Sequence, residues 1–208
     1  ELSGPQIEVA KSIIVAVLRN RFTIIHLAQI QRHANDLFSH SINVAVLSTM
    51  TAITLGMRSN ELLHALATGA MLHDIGMIAV PPQVLAKRDS GRMTAEEVEL
   101  LQGHTTAGFA ILRKLEGAPL LSAHIAYQHH EKLQGQGYPR KLAGAEIHEL
   151  SRIVAVANAY DNLIADTPGK RGMPPHLAYE AIVSGVNVET DATVAEAFLT
   201  RIALYPVG

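Results

Sequence analysis

Residues 60–76 read Asn60-Glu61-Leu62-Leu63-His64-Ala65-Leu66-Ala67-Thr68-Gly69-Ala70-Met71-Leu72-His73-Asp74-Ile75-Gly76. Leucines at 62, 63 and 66, followed by Ala67, recur at helical spacing, so the stretch is predicted to be an apolar helix from Asn60 to Leu72. It ends on an adjacent His73 and Asp74. Gly76, Pro81 and Pro82 break any helix, so residues 75–82 are expected to be a loop. Taken alone, His73-Asp74 reads as a helix C-terminus whose histidine favours the dipole, because neighbouring side chains there point in different directions.

Helical periodicity extends to both sides of this stretch. Residues 35–55 form a long amphipathic run that Gly56 is expected to cap, and residues 7–19 and 22–30 suggest two shorter helices before it. Downstream, Thr94 and Glu97 have the spacing of a capping box that opens a helix. Further helices are expected at 105–115, 120–128, 147–165, 175–184 and 192–203. Gly135-Gln136-Gly137-Tyr138-Pro139 marks a second loop. No paired strands and no internal repeat are visible. The expected fold class is all-α: one helical bundle over residues 34–208, preceded by a short N-terminal helical extension over residues 1–33.

Of the 208 residues, 48% are apolar and the net charge is -2, which is enough to bury a core and argues against a disordered tail. Without a block of like charge there is no footprint for a DNA or RNA polymer, although a small anionic ligand stays open. The absence of cysteine excludes disulfides and thiolate metal sites and fits a cytoplasmic location. The longest apolar runs, such as residues 13–18, fall far short of the ~20 residues that span a bilayer, so no membrane span is expected. No signal peptide or lipidation motif opens the sequence. It starts at Glu1 rather than Met and is expected to be a piece of a longer protein.

Histidine is the unusual residue, with 11 in the chain against four phenylalanines. His129-His130-Glu131 ends an apolar helix, and two adjacent buried imidazoles each need a partner, which favours a metal over packing. His40 lies between Phe38 and Ile42 on an apolar helix. His104 follows Gly103 at a helix start, where a protonated imidazole is disfavoured. Asp161 is the main acidic residue of the apolar run 153–163, and a buried carboxylate calls for a cation. Together with His73 and Asp74, these residues come from separate helices that a bundle can bring to one core site. Nitrogen and oxygen ligands without sulfur suit Fe, Mn, Zn, Ni or Co.

In order and spacing, His40, His73-Asp74-Ile75-Gly76, His104, His129-His130-Glu131, Gly135-x-Gly137-Tyr138-Pro139 and Asp161 resemble the HD-GYP family, within the HD superfamily of metal-dependent phosphohydrolases. The resemblance covers about residues 38–199. It implies an HD-type bundle and a bacterial phosphodiesterase that hydrolyses cyclic di-GMP to linear pGpG or GMP. It further implies two or three divalent cations, with Fe or Mn foremost. His40, His73, Asp74 and Asp161 would hold one, and Asp74, the central catalytic residue, would bridge to a second held by His104, His129 and His130. Asp36, one turn before His40, would serve a third. Tyr138 with Lys170 and Arg171 is assigned to the substrate, and Glu131 to orienting a ligand histidine. GGDEF-type signalling proteins and a second copy of the chain are the partners this resemblance raises.

The sequence departs from the family at three places. Met77 stands where the family usually has a lysine that contacts the scissile phosphate, which implies reduced activity. Gln134 replaces the usual aspartate before Gly-x-Gly-Tyr-Pro, and residues 166–172 replace a basic Pro-Tyr stretch. The remaining histidines, His26, His33, His64, His124, His148 and His176, match no ligand position and are read as ordinary. The alternatives to a phosphodiesterase are a degenerate cyclic-dinucleotide sensor or partner-recruiting domain, favoured by Met77, and a di-iron oxygenase, which the Gly-Tyr-Pro loop argues against.

Overall fold

The structure, a computed structural model, describes residues 12, 35–88, 91–166 and 171–202. The helices expected at 7–19 and 22–30 lie outside the described residues, as does Lys170. Asp36 is within a described helix, but its side chain is not described.

The bundle opens with α1 (Asn35–Thr54) and α2 (Asn60–Met71), joined by a turn in which Gly56 takes φ +89°, a conformation that glycine adopts without penalty. Ser59 caps α2 by accepting a hydrogen bond from the Leu62 amide. From Leu63 onward α2 is buried on most sides, from Leu66 and Ala67 to Ala70 and Met71, so it is the central helix rather than a surface one. The stretch Asn60–Ala79 is apolar enough by composition to cross a membrane, but 78% of its apolar window is buried inside the protein.

Residues 75–82 are not the open loop expected. Ile75–Ala79 form a 3-10 turn, and Pro82 starts the short helix α3 (Pro82–Leu85). Gly76 was read as a helix breaker, but it is there for space: a Cβ on it would lie 1.9 Å from the His104 carbonyl oxygen and 2.5 Å from the Gly108 nitrogen. Pro82 sits at the first helical position, where its missing N–H costs nothing.

Helix α4 (Ala95–Gln102) opens with the Thr94–Glu97 capping box. Helix α5 (His104–Leu112) follows after Gly103 and is shorter than expected, starting at His104 itself and ending at Leu112. Helix α6 (Leu120–Gln128) packs between α2, α5 and α7 (Glu149–Ile164). His148, read as ordinary, caps α7 by accepting from the Leu150 amide. Helices α8 (Pro175–Ser184) and α9 (Ala192–Ile202) complete the described fold, with α9 against α1 and α7. Among the described residues there is no strand, only two isolated β-bridges, Gln134 with Ala143 and Val186 with Thr190.

α1, α2, α6, α7 and α9 share one core, in which Leu66, Met71, Ile125, Ile153 and Phe198 are all but fully buried. Burying each such side chain contributes about 1.5–3 kcal/mol, so the core holds the inner helix ends in fixed places. The polar side chains gathered at those ends form the site.

Candidate metal centre

An α-helix leaves its last carbonyls without intrahelical partners. At three helix ends here a histidine takes one of them. His73, just past α2, directs Nδ1 to the Ala70 carbonyl at 2.7 Å. His104, just past α4, directs Nδ1 to the Leu101 carbonyl at 2.6 Å, and His129, just past α6, to the Ala126 carbonyl at 3.0 Å. A carbonyl only accepts, so each Nδ1 carries the proton and each Nε2 is left with a lone pair when the ring is neutral. Burial favours the neutral ring: desolvation pushes His73 down to about 3 against the pull of Asp74, and lowers His129 as well.

These nitrogens converge. His104 Nε2 is 3.3 Å from His129 Nε2, and His40 Nε2 is 3.3 Å from His73 Nε2. Two neutral rings presenting lone pairs to each other repel unless a cation lies between them. Asp74 sits at the middle with one oxygen toward each pair. Its Oδ2 is 3.5 Å from His73 Nε2, while its Oδ1 is 3.3 Å from His104 Nε2 and 3.5 Å from His129 Nε2. Asp74 Oδ1 is buried yet accepts no hydrogen bond. A buried carboxylate oxygen ringed by imidazole lone pairs is a group built for a cation. Burial opposes ionisation of Asp74, and the pull of positive charge from its side-chain neighbours, above all a protonated His73, outweighs it and holds the carboxyl well below its ordinary value; a cation in the cleft would exert the same pull on it.

Two sets of side chains therefore place ligand atoms within 4.8 Å of one another: His40, His73 and Asp74, and Asp74, His104, His129 and His130. Asp161 stands beside the first set. Its Oδ2 lies 2.7 Å from His40 Nδ1, and its Oδ1 accepts from Asn43 Nδ2 at 3.0 Å. The carboxylate orients the His40 ring and keeps lone pairs to spare. Asn43 was missed from the sequence, although it lies three residues beyond His40, one helical turn away.

His130 is held differently. Neither ring nitrogen has a hydrogen-bond partner among the described residues, and the ring stacks on Tyr138, centroids 4.6 Å apart and planes 20° apart. Burial lowers its pKa well below the usual value, and the neighbouring His129 and His104 lower it further. Tyr138 also meets His104 edge-on at 6.3 Å. Burial pushes the Tyr138 hydroxyl up, and the charge of Asp74 adds to that, so it stays protonated.

Glu131 does not bond a histidine, contrary to expectation. Its Oε1 accepts from the Arg140 amide at 2.8 Å and its Oε2 from the Leu142 amide at 3.0 Å, so it grips the loop instead. Gln134 donates through Nε2 to the Asn187 carbonyl. Met77 is only 6% exposed and packs into the core. Arg171 is exposed, next to the Gly172 amide that donates to Asp166.

The HD domain family model matches residues 24–194. A cyclic di-GMP phosphodiesterase of Thermotoga maritima is 39% identical over 161 residues, 77% of this chain and 43% of that protein. A cyclic di-GMP phosphodiesterase of Pseudomonas aeruginosa is 31% identical over 203 residues, 97% of this chain and 48% of that protein. The chain thus spans less than half the length of either relative. A solved HDG"Y"P protein of Bdellovibrio bacteriovorus, 21% identical, has the same fold with a TM-score of 0.66 over 96% of this chain and 70% of that one. HD-domain phosphohydrolases bind divalent metals, and the His–Asp cluster at the helix ends fits that chemistry. The chain belongs to the HD domain family, and its His73-Asp74 and Gly137-Tyr138-Pro139 motifs place it with the HD-GYP members.

Proposed function

We propose that this chain is a metal-dependent phosphodiesterase that hydrolyses cyclic di-GMP to linear pGpG or GMP. The observation that carries the reading is Asp74, whose two oxygens face separate groups of histidine nitrogens. In this reading His40, His73, Asp74 and Asp161 hold one cation, and Asp74, His104, His129 and His130 hold another. Cations bound there would supply Lewis acidity, to acidify an attacking water and to draw negative charge from a phosphodiester. The protein's part is to keep five imidazoles oriented, to keep those of His73, His129 and His130 unprotonated by burial, and to offer one carboxylate to both groups of nitrogens. Nitrogen and oxygen donors without sulfur suit Fe, Mn, Zn, Ni or Co, and the family resemblance puts Fe or Mn first.

Asp36 is proposed as ligand to a third cation, because it lies on α1 four residues before His40, on the same helix face. Tyr138, Lys170 and Arg171 are proposed to contact the nucleotide; the protonated Tyr138 hydroxyl is a donor for a phosphate or guanine oxygen. The same reading divides the chain into an extension, 1–33, and the catalytic domain, 34–208. It also places the domain in the cytoplasm, with GGDEF-type proteins and a second copy of the chain as partners. Anaerobic incubation with cyclic di-GMP and Fe(II) or Mn(II), followed by chromatography, tests it: pGpG or GMP is expected, and intact nucleotide beside fully metallated protein refutes hydrolysis.

A second reading, a cyclic-dinucleotide sensor with little catalysis, draws on Met77. No cation stands at that position, and its side chain is committed to the core. Tight binding without turnover by metallated protein is the outcome that selects it.

A further inference from the structure

The loop that carries Tyr138 is tied to His130 and Glu131 at several points along its path. The Tyr138 amide donates to the His130 carbonyl at 3.2 Å. Gly137 lies so close beneath that a Cβ on it would be 2.4 Å from both Glu131 Cα and the His130 carbonyl oxygen. The Arg140 and Leu142 amides then converge on the two oxygens of Glu131, a side chain only 3% exposed. A buried carboxylate taken up fully by two backbone N–H groups is a strong fastening. What it fastens is the Tyr138 ring, flat against His130.

His130 is the odd histidine of the cluster. His73, His104 and His129 are aimed by helix-end carbonyls and His40 by Asp161. Without a hydrogen bond of its own, the His130 imidazole is held by ring contacts alone: tilted against His129 at 4.2 Å, edge-on to His104 at 5.2 Å, and stacked flat on Tyr138 at 4.6 Å, the one partner that lies outside the cluster.

We infer that Glu131 is a positioning residue that, through the Gly-Tyr-Pro loop, holds Tyr138 against His130 and so sets how His130 presents its nitrogen to the metal cleft. The inference rests on the reading of His130 as a ligand. A ligand held by a remote carboxylate should lose affinity when that carboxylate is weakened, typically 10- to 100-fold for such outer partners.

The test uses the full chain, stripped of metal and titrated with Mn(II) under anaerobic conditions. Glu131→Gln keeps the volume but sets an amide NH₂ against one of the two backbone donors. It is expected to lower Mn(II) affinity by about 10-fold or more. Tyr138→Phe keeps the stacked ring and is expected to bind as wild type, whereas Tyr138→Ala should lose about as much as Glu131→Gln. The double variant Glu131→Gln/Tyr138→Ala should be no weaker than either single one by more than about 2-fold, because both act through one contact. Folded Glu131→Gln protein with unchanged affinity, or with a lowered Tm alone, overturns the inference, and so do losses that multiply. If Glu131→Gln does not fold, Tyr138→Ala against Tyr138→Phe decides: equal affinity overturns it, a loss confined to Ala supports it. Wild-type protein that takes up no Mn(II) overturns the metal reading itself, whereas normal uptake in every variant overturns the Glu131 inference alone.

Discussion

His104 and His129 present their Nε2 atoms to each other at 3.3 Å, while their Nδ1 protons are committed to the carbonyls of Leu101 and Ala126. His40 and His73 repeat the arrangement across Asp74. A fold that spends its core stability on placing imidazole lone pairs face to face makes sense only around cations. The following outcomes are expected if that is what the cluster does.

Asp74 serves both halves of the cluster, so Asp74→Asn should weaken both cation positions together. Hydrolysis should fall by at least about 100-fold, as for loss of a central electrostatic group. His104→Ala should remove only the cation on its own side. Metal counting on the two variants checks this, and equal losses would speak against a bridging Asp74.

Met77→Lys would restore the charge at a position now 6% exposed. The lysine must turn away from the core packing of Met77 for its ammonium to face the cleft. Hydrolysis of cyclic di-GMP is expected to rise by about 10-fold or more, and stability to fall by roughly 1–3 kcal/mol, the cost of an imperfectly paired buried polar group. Met77→Leu should leave turnover unchanged. A folded, metallated Met77→Lys protein that is no faster would favour the sensor reading.

Gly76→Ala places a methyl where the His104 carbonyl and the Gly108 amide already stand. One of the two backbones must move, and with it the approach of Asp74 to His104. Tm and metal affinity are expected to fall together, at a cost of about 1–3 kcal/mol or more. A variant that unfolds at the wild-type temperature would contradict the close packing.

Asn43→Ala removes the donor to Asp161 Oδ1, but the position is exposed and water can replace it. About 1 kcal/mol and a few-fold in turnover are expected to be lost. Asp161→Asn removes the charge beside His40 and should cost far more. Similar effects from the two would mean that Asp161 only orients His40.

Asp36→Ala should lower the cation count by one and leave the two main positions filled. Unchanged metal content would dismiss the third position.

Much of the fold was legible because helices announce themselves locally. The apolar spacing of 60–72 and the Thr94–Glu97 box depend on residues within a turn or two of each other, and both match the structure. The cluster was legible for a related reason: buried histidines at helix ends need partners, and the helix-end carbonyls supply half of that need. What escaped depends on contacts between distant segments. Gly76 carries no local sign that it makes room for His104 some thirty residues on, so it was taken as a breaker. Glu131 reaches backbone amides at 140 and 142, which no periodicity links to it. The grip of Asn43 on Asp161 joins α1 to α7 across the bundle and is visible only once both are in place.

The most direct test of the central claim is the electron paramagnetic resonance spectrum of the chain loaded with Mn(II). Two ions bridged by Asp74 should give the broad, temperature-dependent spectrum of an exchange-coupled pair, at two or more Mn(II) per chain. The six-line spectrum of isolated Mn(II), saturating at one ion per chain, would contradict a shared carboxylate between two cations.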